Sequence, residues 1–191
     1  GGFCFPRYYV QPRHNTAIPL REPEEKITAA FHPSTRSNLS RAKKRGVTVE
    51  IKPELSHEEY AEFAKMMGDT VARNSGKNVY PAHAYFEHLF KTLVPLGDSY
   101  DPKIASFCFF YGYQDGKPAA CHLVVFFGNT ATYLHGAANT AALSSKVTTY
   151  LHWEAMREAK RLGLHYYDIG GIDEVRWKTL TDFKRQFRGE E

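Results

Sequence analysis

The chain has 191 residues, 42% of them hydrophobic and 24% charged, which fits one domain or one domain and a small extension. No run of about 18 apolar residues exists, so a transmembrane helix is excluded, and the stretch GGFCFPRYYVQPRHN lacks the apolar core of a signal peptide. The net charge of +4 is compatible with a phosphate-bearing partner but does not demand one.

In chain order, residues 1–23 carry four of the ten prolines and no clear period, which predicts an extended lead-in to a single lobe over 24–191. Glu24 to Arg45 predicts helix, broken at Pro33-Ser34, with Ser37 or Asn38 capping the second part and Gly46 ending it. "VTVEI" alternates β-branched with polar residues and predicts a strand. Ser56 and Glu59 form a capping box, and Tyr60, Phe63, Ala64 and Met67 share one face of the helix that follows. "PAHAYFEHLFKTLV" predicts a second amphipathic helix with Tyr85, Phe86, Leu89, Phe90 and Leu93 as its stripe.

A meander comes next. "IASFCFFYGY" and "PAACHLVVFF" predict strands around a turn centred on Asp115-Gly116, and "TATYLHGAA" returns after Gly128-Asn129. "SSKVTTYLHWEAMREAKRLG" predicts a long helix with Leu151, Ala155, Ala159 and Leu162 in line and Gly163 at its end. "LHYYDIG" is then a strand. The order implies an α/β (α+β) fold: a mixed, mostly antiparallel sheet flanked by helices. The strand–helix–strand crossover from Thr132 to Ile169 would set two strands parallel, and the sheet is expected to splay there.

Four clusters could carry chemistry. An acid in an apolar strand, Asp168, must be paired; at a strand's end it could face a cleft as a catalytic group, or cap a turn. The glycines after it, Gly170 and Gly171, allow a close approach of backbone to ligand. "DFKRQF" read as a helix puts Phe183 and Phe187 on one face and Lys184 and Arg188 on another. Lys184 beside this apolar anchor could hold an oxyanion or a phosphate, or be one of the solvated charges of an end helix. Arg36, Arg41, Lys43, Lys44 and Arg45 fall within ten residues, a run that is commonly a solvated face and otherwise attracts phosphates such as those of RNA. Arg73 and Lys77 flank a glycine at a helix end, either a plain cap or an anion site.

The nine histidines show no metal-ligand spacing and are expected to be scattered packing or surface residues. Cys4, Cys108 and Cys121 fit neither a disulfide framework nor a zinc site, and the last two are expected to be buried thiols of a reducing compartment.

Taken together, "STRSNLSRAKKRGVTVEI", "TVARNSGKNVYPAHAYFEHL", "GKPAACHLVVFFGNTATYLHGAAN" and, most specifically, "WEAMREAKRLGLHYYDIGGID" followed by "DFKRQF" resemble the FemABX family of aminoacyl-tRNA-dependent transferases, whose lobes have the GNAT fold. The likeness runs from about Ile18 to Phe187 and matches the order of the C-terminal lobe of a usually two-lobed family: either a partner supplies the other lobe, or this chain is a fragment, or a one-lobed relative works differently. It implies transfer of an amino acid from aminoacyl-tRNA to an amine of a peptidoglycan precursor, nucleotide- or lipid-linked. It further implies a cytoplasmic setting, in solution or at the inner membrane surface, and no metal or redox cofactor. Carried over, Lys184 would stabilise the oxyanion and Arg73 would contact a precursor phosphate. Tyr133 would line the cleft beside the Phe183 anchor, and Arg36 would be a looser phosphate or tRNA contact. Asp168, read from the residues alone, could take the proton of the attacking amine.

Two other readings compete. A GNAT enzyme using acyl-CoA would hold pyrophosphate on a glycine-rich turn, but "NTAALSSKVTTYL" has no glycine between Gly136 and Gly163. A single lobe could also be a non-catalytic binding module.

Overall fold

The computed structural model describes residues 12, 14–73 and 80–191. Cys4 and Lys77, both noted in the sequence, lie outside them. The chain runs β1 (His14–Pro19), α1 (Glu24–Ala30), α2 (Pro33–Lys44), β2 (Val47–Lys52), α3 (His57–Arg73), α4 (His83–Thr92) and β3 (Val94–Pro95). The meander β4 (Ser106–Gln114), β5 (Lys117–Phe127) and β6 (Thr130–Ala138) follows. A 3-10 helix (Thr140–Ser145), α5 (Val147–Arg161), β7 (Tyr166–Ile172) and α6 (Lys178–Arg185) complete it.

The strands form one seven-stranded sheet in the order β1-β7-β6-β5-β4-β2, with β3 beside β4. Pairing is antiparallel except at β3–β4 and β6–β7. Alternation along the meander supplies two cores. Cys108, Phe110, Ala120, Val124 and Phe126 face α1, α2 and α5, whereas Phe107, Phe109, Tyr111, Cys121 and Leu123 face α3 and α4. Cys108 and Cys121 are buried free thiols, and burial pushes both thiol pKa values up.

Several local expectations hold. The capping box closes in both directions, Ser56 N to Glu59 Oε2 at 2.9 Å and Glu59 N to Ser56 Oγ at 3.2 Å. Asp115 and Gly116 both take positive φ (53° and 73°), as a two-residue hairpin turn requires.

Others need correction. α2 begins at Pro33, not at Ser37 or Asn38: proline presets φ at the first helical position, and His32 Nδ1 accepts from Ser34 N at 3.2 Å. The expected lead-in contains a true strand, β1, whose partner β7 lies some 150 residues away. Ser144 and Ser145 belong to the 3-10 helix, and α5 starts only at Val147. Because α6 ends at Arg185 and Arg188 has φ 55°, Arg188 does not share a helix face with Lys184.

Candidate active site

The parallel ladder between β6 and β7 is short. Thr130, Ala131 and Thr132 pair with Tyr166, Tyr167 and Asp168, and beyond that point the two strands part. β7 stays with β1, where Asn15 opposes Gly171 and His14 opposes Ile172. β6 stays with β5 through a register shift between Leu123 and Val124. The splay expected at the crossover is therefore present, with Tyr133 on one bank and Gly170 on the other.

α6 places a cation in this seam. Lys184 is 5% exposed, and its Nζ donates to Gly171 O at 2.8 Å. Gly170 has φ 88°; a Cβ there would lie 3.2 Å from Lys184 Nζ and 3.6 Å from Tyr133 O. Only glycine suits both that backbone angle and that approach. The helix is anchored as the i, i+4 spacing predicts: the Phe183 and Phe187 rings meet edge-on at 5.5 Å, and Phe187 meets Phe31 at 5.3 Å. The sequence suggested a lysine over an open groove; the structure instead buries the ammonium. Burial lowers its pKa to about 8, partly opposed by the Asp168 carboxylate.

Asp168 is fully engaged. Its Oδ2 accepts from Asn15 Nδ2 and its Oδ1 from Gly170 N, each at 2.7 Å. The carboxylate thus clasps β1, caps the turn at Gly170 and acts as counter-charge to Lys184.

Beneath the seam lies a group that sequence reading treated as unrelated residues. His152 of α5 hydrogen-bonds through Nδ1 with the Tyr167 hydroxyl at 2.9 Å. Its ring centroid is 4.4 Å from His122, 4.7 Å from Tyr133 and 5.8 Å from Phe183. Desolvation drives the His122 pKa down to about 3 and holds His152 well below the usual imidazole range, so both are neutral. His122 Nδ1 is buried without a hydrogen-bond partner, an arrangement that ordinarily costs stability. A Cβ on Gly136, which pairs with His122 across the ladder, would come within 2.5 Å of the Tyr133 hydroxyl. The sequence did hold a signal: His122 shares strand parity with Ala120 and Val124, and His152 falls on the buried stripe of α5.

Two predicted phosphate ligands are occupied elsewhere. Arg36 Nη1 donates to the carbonyls of Ala29 and Phe31 at the end of α1. Arg73 Nη1 donates to Ala138 O at 2.9 Å and Thr140 Oγ1 at 2.7 Å, and its Nη2 to Thr70 Oγ1 at 2.8 Å. Both guanidiniums fasten one element to another. A cavity of about 500 Å³ lies away from Lys184, between α3 and α4, walled by Tyr60, Met67, Tyr80, His83 and Phe86 among others. Tyr80 in its wall donates its hydroxyl to Gly136 O of β6 at 2.8 Å.

A mixed sheet that splays at a parallel pair after a strand–helix crossover is the architecture of one acyl-transfer fold, and the family model of the acetyltransferase (GNAT) domain matches residues 33–185. The chain belongs to the acetyltransferase (GNAT) domain family. As a GNAT domain it is an acyltransferase by family. No curated protein matches it. Among solved structures it is similar to FemX, with 18% identity and a TM-score of 0.77, covering 94% of this chain and 59% of that one. It is also similar to the C-terminal domain of a putative lysylphosphatidylglycerol synthetase from Agrobacterium fabrum (13%, TM-score 0.61, 92% of this chain and 56% of that one). A third similar structure is L-PGS from Bacillus licheniformis (11%, TM-score 0.58, 94% and 58%). At these identities the likeness is one of fold. The chain spans less than two thirds of the length of each of these proteins.

Proposed function

We propose that this GNAT domain transfers an amino acid from the ester of an aminoacyl-tRNA to an amine of a peptidoglycan precursor. The observation that carries the reading is the Lys184 ammonium held in the β6–β7 seam against Gly171 O, with two N–H donors left over. In the reaction, the neutral acceptor amine attacks the ester carbonyl. The carbonyl oxygen becomes an oxyanion facing Lys184. Collapse forms the amide and expels the ribose hydroxyl of the tRNA, which takes up the proton the nitrogen gives away. A preorganised charged donor in a dry seam suits this step, because its charge is already in place when the oxyanion forms.

In this mechanism Tyr133 and Phe183 wall the seam, and Asp168 keeps Lys184 protonated rather than acting as base. Arg36 and Arg73 each use part of their five N–H donors on the protein, and the rest are available to a phosphate. The likeness in fold to FemX supports the choice of donor and acceptor. Such a reaction would take place in the cytoplasm, in solution or at the inner membrane surface. Among the described residues no helix is long and apolar enough to cross a membrane.

The test is Lys184→Ala with aminoacyl-tRNA and a precursor peptide. Turnover should fall roughly 100- to 1,000-fold, with donor binding retained. Unchanged transfer removes Lys184 from the mechanism. The family model's acetyltransferase description favours acyl-CoA as the second reading. Tight binding of acetyl-CoA by titration calorimetry would establish it, and failure to bind would leave the tRNA ester as donor.

A further inference from the structure

The basic run in α2 loses its first member, Arg36, to the end of α1, but the remainder has an unexpected neighbour. Arg41, Lys43 and Lys44 are exposed on the last turn of α2. α2 packs on α5, and Lys43 Nζ sits 6.0 Å over the ring of Tyr150 in the first turn of α5. Lys146, at the junction before α5, therefore lies on the same side. Arg45 donates to Ser144 O and fixes that junction.

None of Arg41, Lys43, Lys44 and Lys146 makes an ion pair within 4.0 Å among the described residues. Other surface cations are paired, for instance at Arg157–Glu24, Arg161–Glu158, Arg176–Asp173 and Arg185–Glu191. Glu154 is bound to Arg157, and the Asp115 carboxylate lies beside Gly46. A helix C-terminus favours cations by a few tenths of a kcal/mol each, which accounts for α2 alone but not for Lys146 joining from another element.

We propose that the last turn of α2 and Lys146 form one surface that holds the phosphodiester backbone of an RNA. The inference rests on the aminoacyl-tRNA reading above and adds where the RNA body sits. Charge complementarity selects the occupant: clustered, unneutralised cations match a closely spaced row of phosphates. A membrane surface would call for several apolar side chains among the cations; among the described residues of α2, the 3-10 helix and the first turn of α5, Leu143 is the one exposed large hydrophobic. The position also suits the chemistry. Lys146 is six residues, about 9 Å of helix rise, from His152, whose ring contacts Phe183 next to Lys184. A backbone held at the junction would leave a single-stranded 3′ end to reach the seam.

The test is fluorescence anisotropy with a labelled RNA hairpin carrying a single-stranded 3′ tail, titrated between about 50 and 200 mM salt. The combined variant Arg41→Gln, Lys43→Gln, Lys44→Gln and Lys146→Asn should bind at least tenfold more weakly, with a salt slope shallower by roughly three. The double variant Lys43→Gln, Lys44→Gln should lose about half of that slope change and guards against a folding defect in the larger set. Lys184→Ala should bind the hairpin like the wild type. Equal affinity and slope in wild type and combined variant would overturn the surface while leaving aminoacyl transfer standing. If the wild type binds no hairpin and transfers from acyl-CoA, both readings fall. Binding to phosphatidylglycerol vesicles without binding to the hairpin would replace RNA with a membrane.

Discussion

Along β4 and β5 the ladder runs from Ser106 opposite Phe126 to Gln114 opposite Lys117, and its side chains alternate between two apolar cores. Along β6 and β7 the ladder stops after three pairs, and the space beyond holds a buried ammonium, two neutral imidazoles and an unpartnered ring nitrogen. The first region contributes stability by removing apolar surface from water. The second gives some of it up, since buried polar groups are favourable only when fully satisfied. Polar groups kept dry and imperfectly paired are what an acyltransferase needs, because charge arising in the reaction then meets fixed partners instead of water.

Four measurements would break or sharpen that contrast. The largest effect is expected in the meander. Phe110→Ala, at a fully buried position, should lower the unfolding free energy by about 3–5 kcal/mol in urea melts. The folded fraction should keep its turnover. A loss below about 1 kcal/mol would mean that the meander is not the main store of stability.

Next comes the pH dependence of Lys184. Its folded pKa of about 8 lies below the value of about 10.4 expected in the unfolded chain. Below pH 8 the group is protonated in both states, and the cost of burying the charge is felt in full. As the pH rises through 8 the folded protein releases the proton while the unfolded chain keeps it. Stability should therefore climb between about pH 8 and 10.4, by on the order of 3 kcal/mol. Transfer, corrected for the rising share of neutral acceptor amine, should fall over the same window as the charge leaves. Lys184→Met should flatten the stability curve, and Lys184→Arg should keep transfer level. A wild-type stability curve without this rise would show that the ammonium is better solvated than its burial implies.

Gly170→Ala should cost about 1–2 kcal/mol from the left-handed backbone alone. It should also disturb Lys184, because the added methyl meets Nζ. Gly112→Ala is the control: its Cβ would strike the Val147 side chain instead, so stability should drop while the Lys184 titration, followed by NMR, stays put. Equal shifts in both variants would undo the assignment of Gly170 to the seam.

The smallest effect concerns His122. Replacing a buried imidazole that has an orphan nitrogen by Leu should raise stability by up to about 1 kcal/mol. It should lower turnover through the Tyr133 wall. A destabilised His122→Leu would mean that the nitrogen has a partner in solution.

Much of the fold was legible because it is local. The capping box at Ser56, the Asp115-Gly116 turn and the Phe183/Phe187 spacing are short-range patterns, and each appears as read. The splay was legible as well, since a crossover helix between Thr132 and Ile169 forces a parallel pair into an otherwise antiparallel sheet. β1 was not legible, because its pairing with β7 bridges almost the whole chain. Nor were the fates of the arginines: Arg36 and Arg73 look like phosphate ligands in any basic segment until a neighbouring carbonyl claims the guanidinium.

By itself the sequence determined the helices, the three meander strands and their apolar faces, because hydrophobic period and turn chemistry act within a few residues of one another. Only the tertiary structure decided that Lys184 is buried, that Asp168 is clasped by Asn15, and that His122 and His152 meet under Tyr133. Desolvation and hydrogen bonding depend on which distant atoms come within about 3 Å of a group, and the packing of α5 and α6 against the parted strands sets that distance.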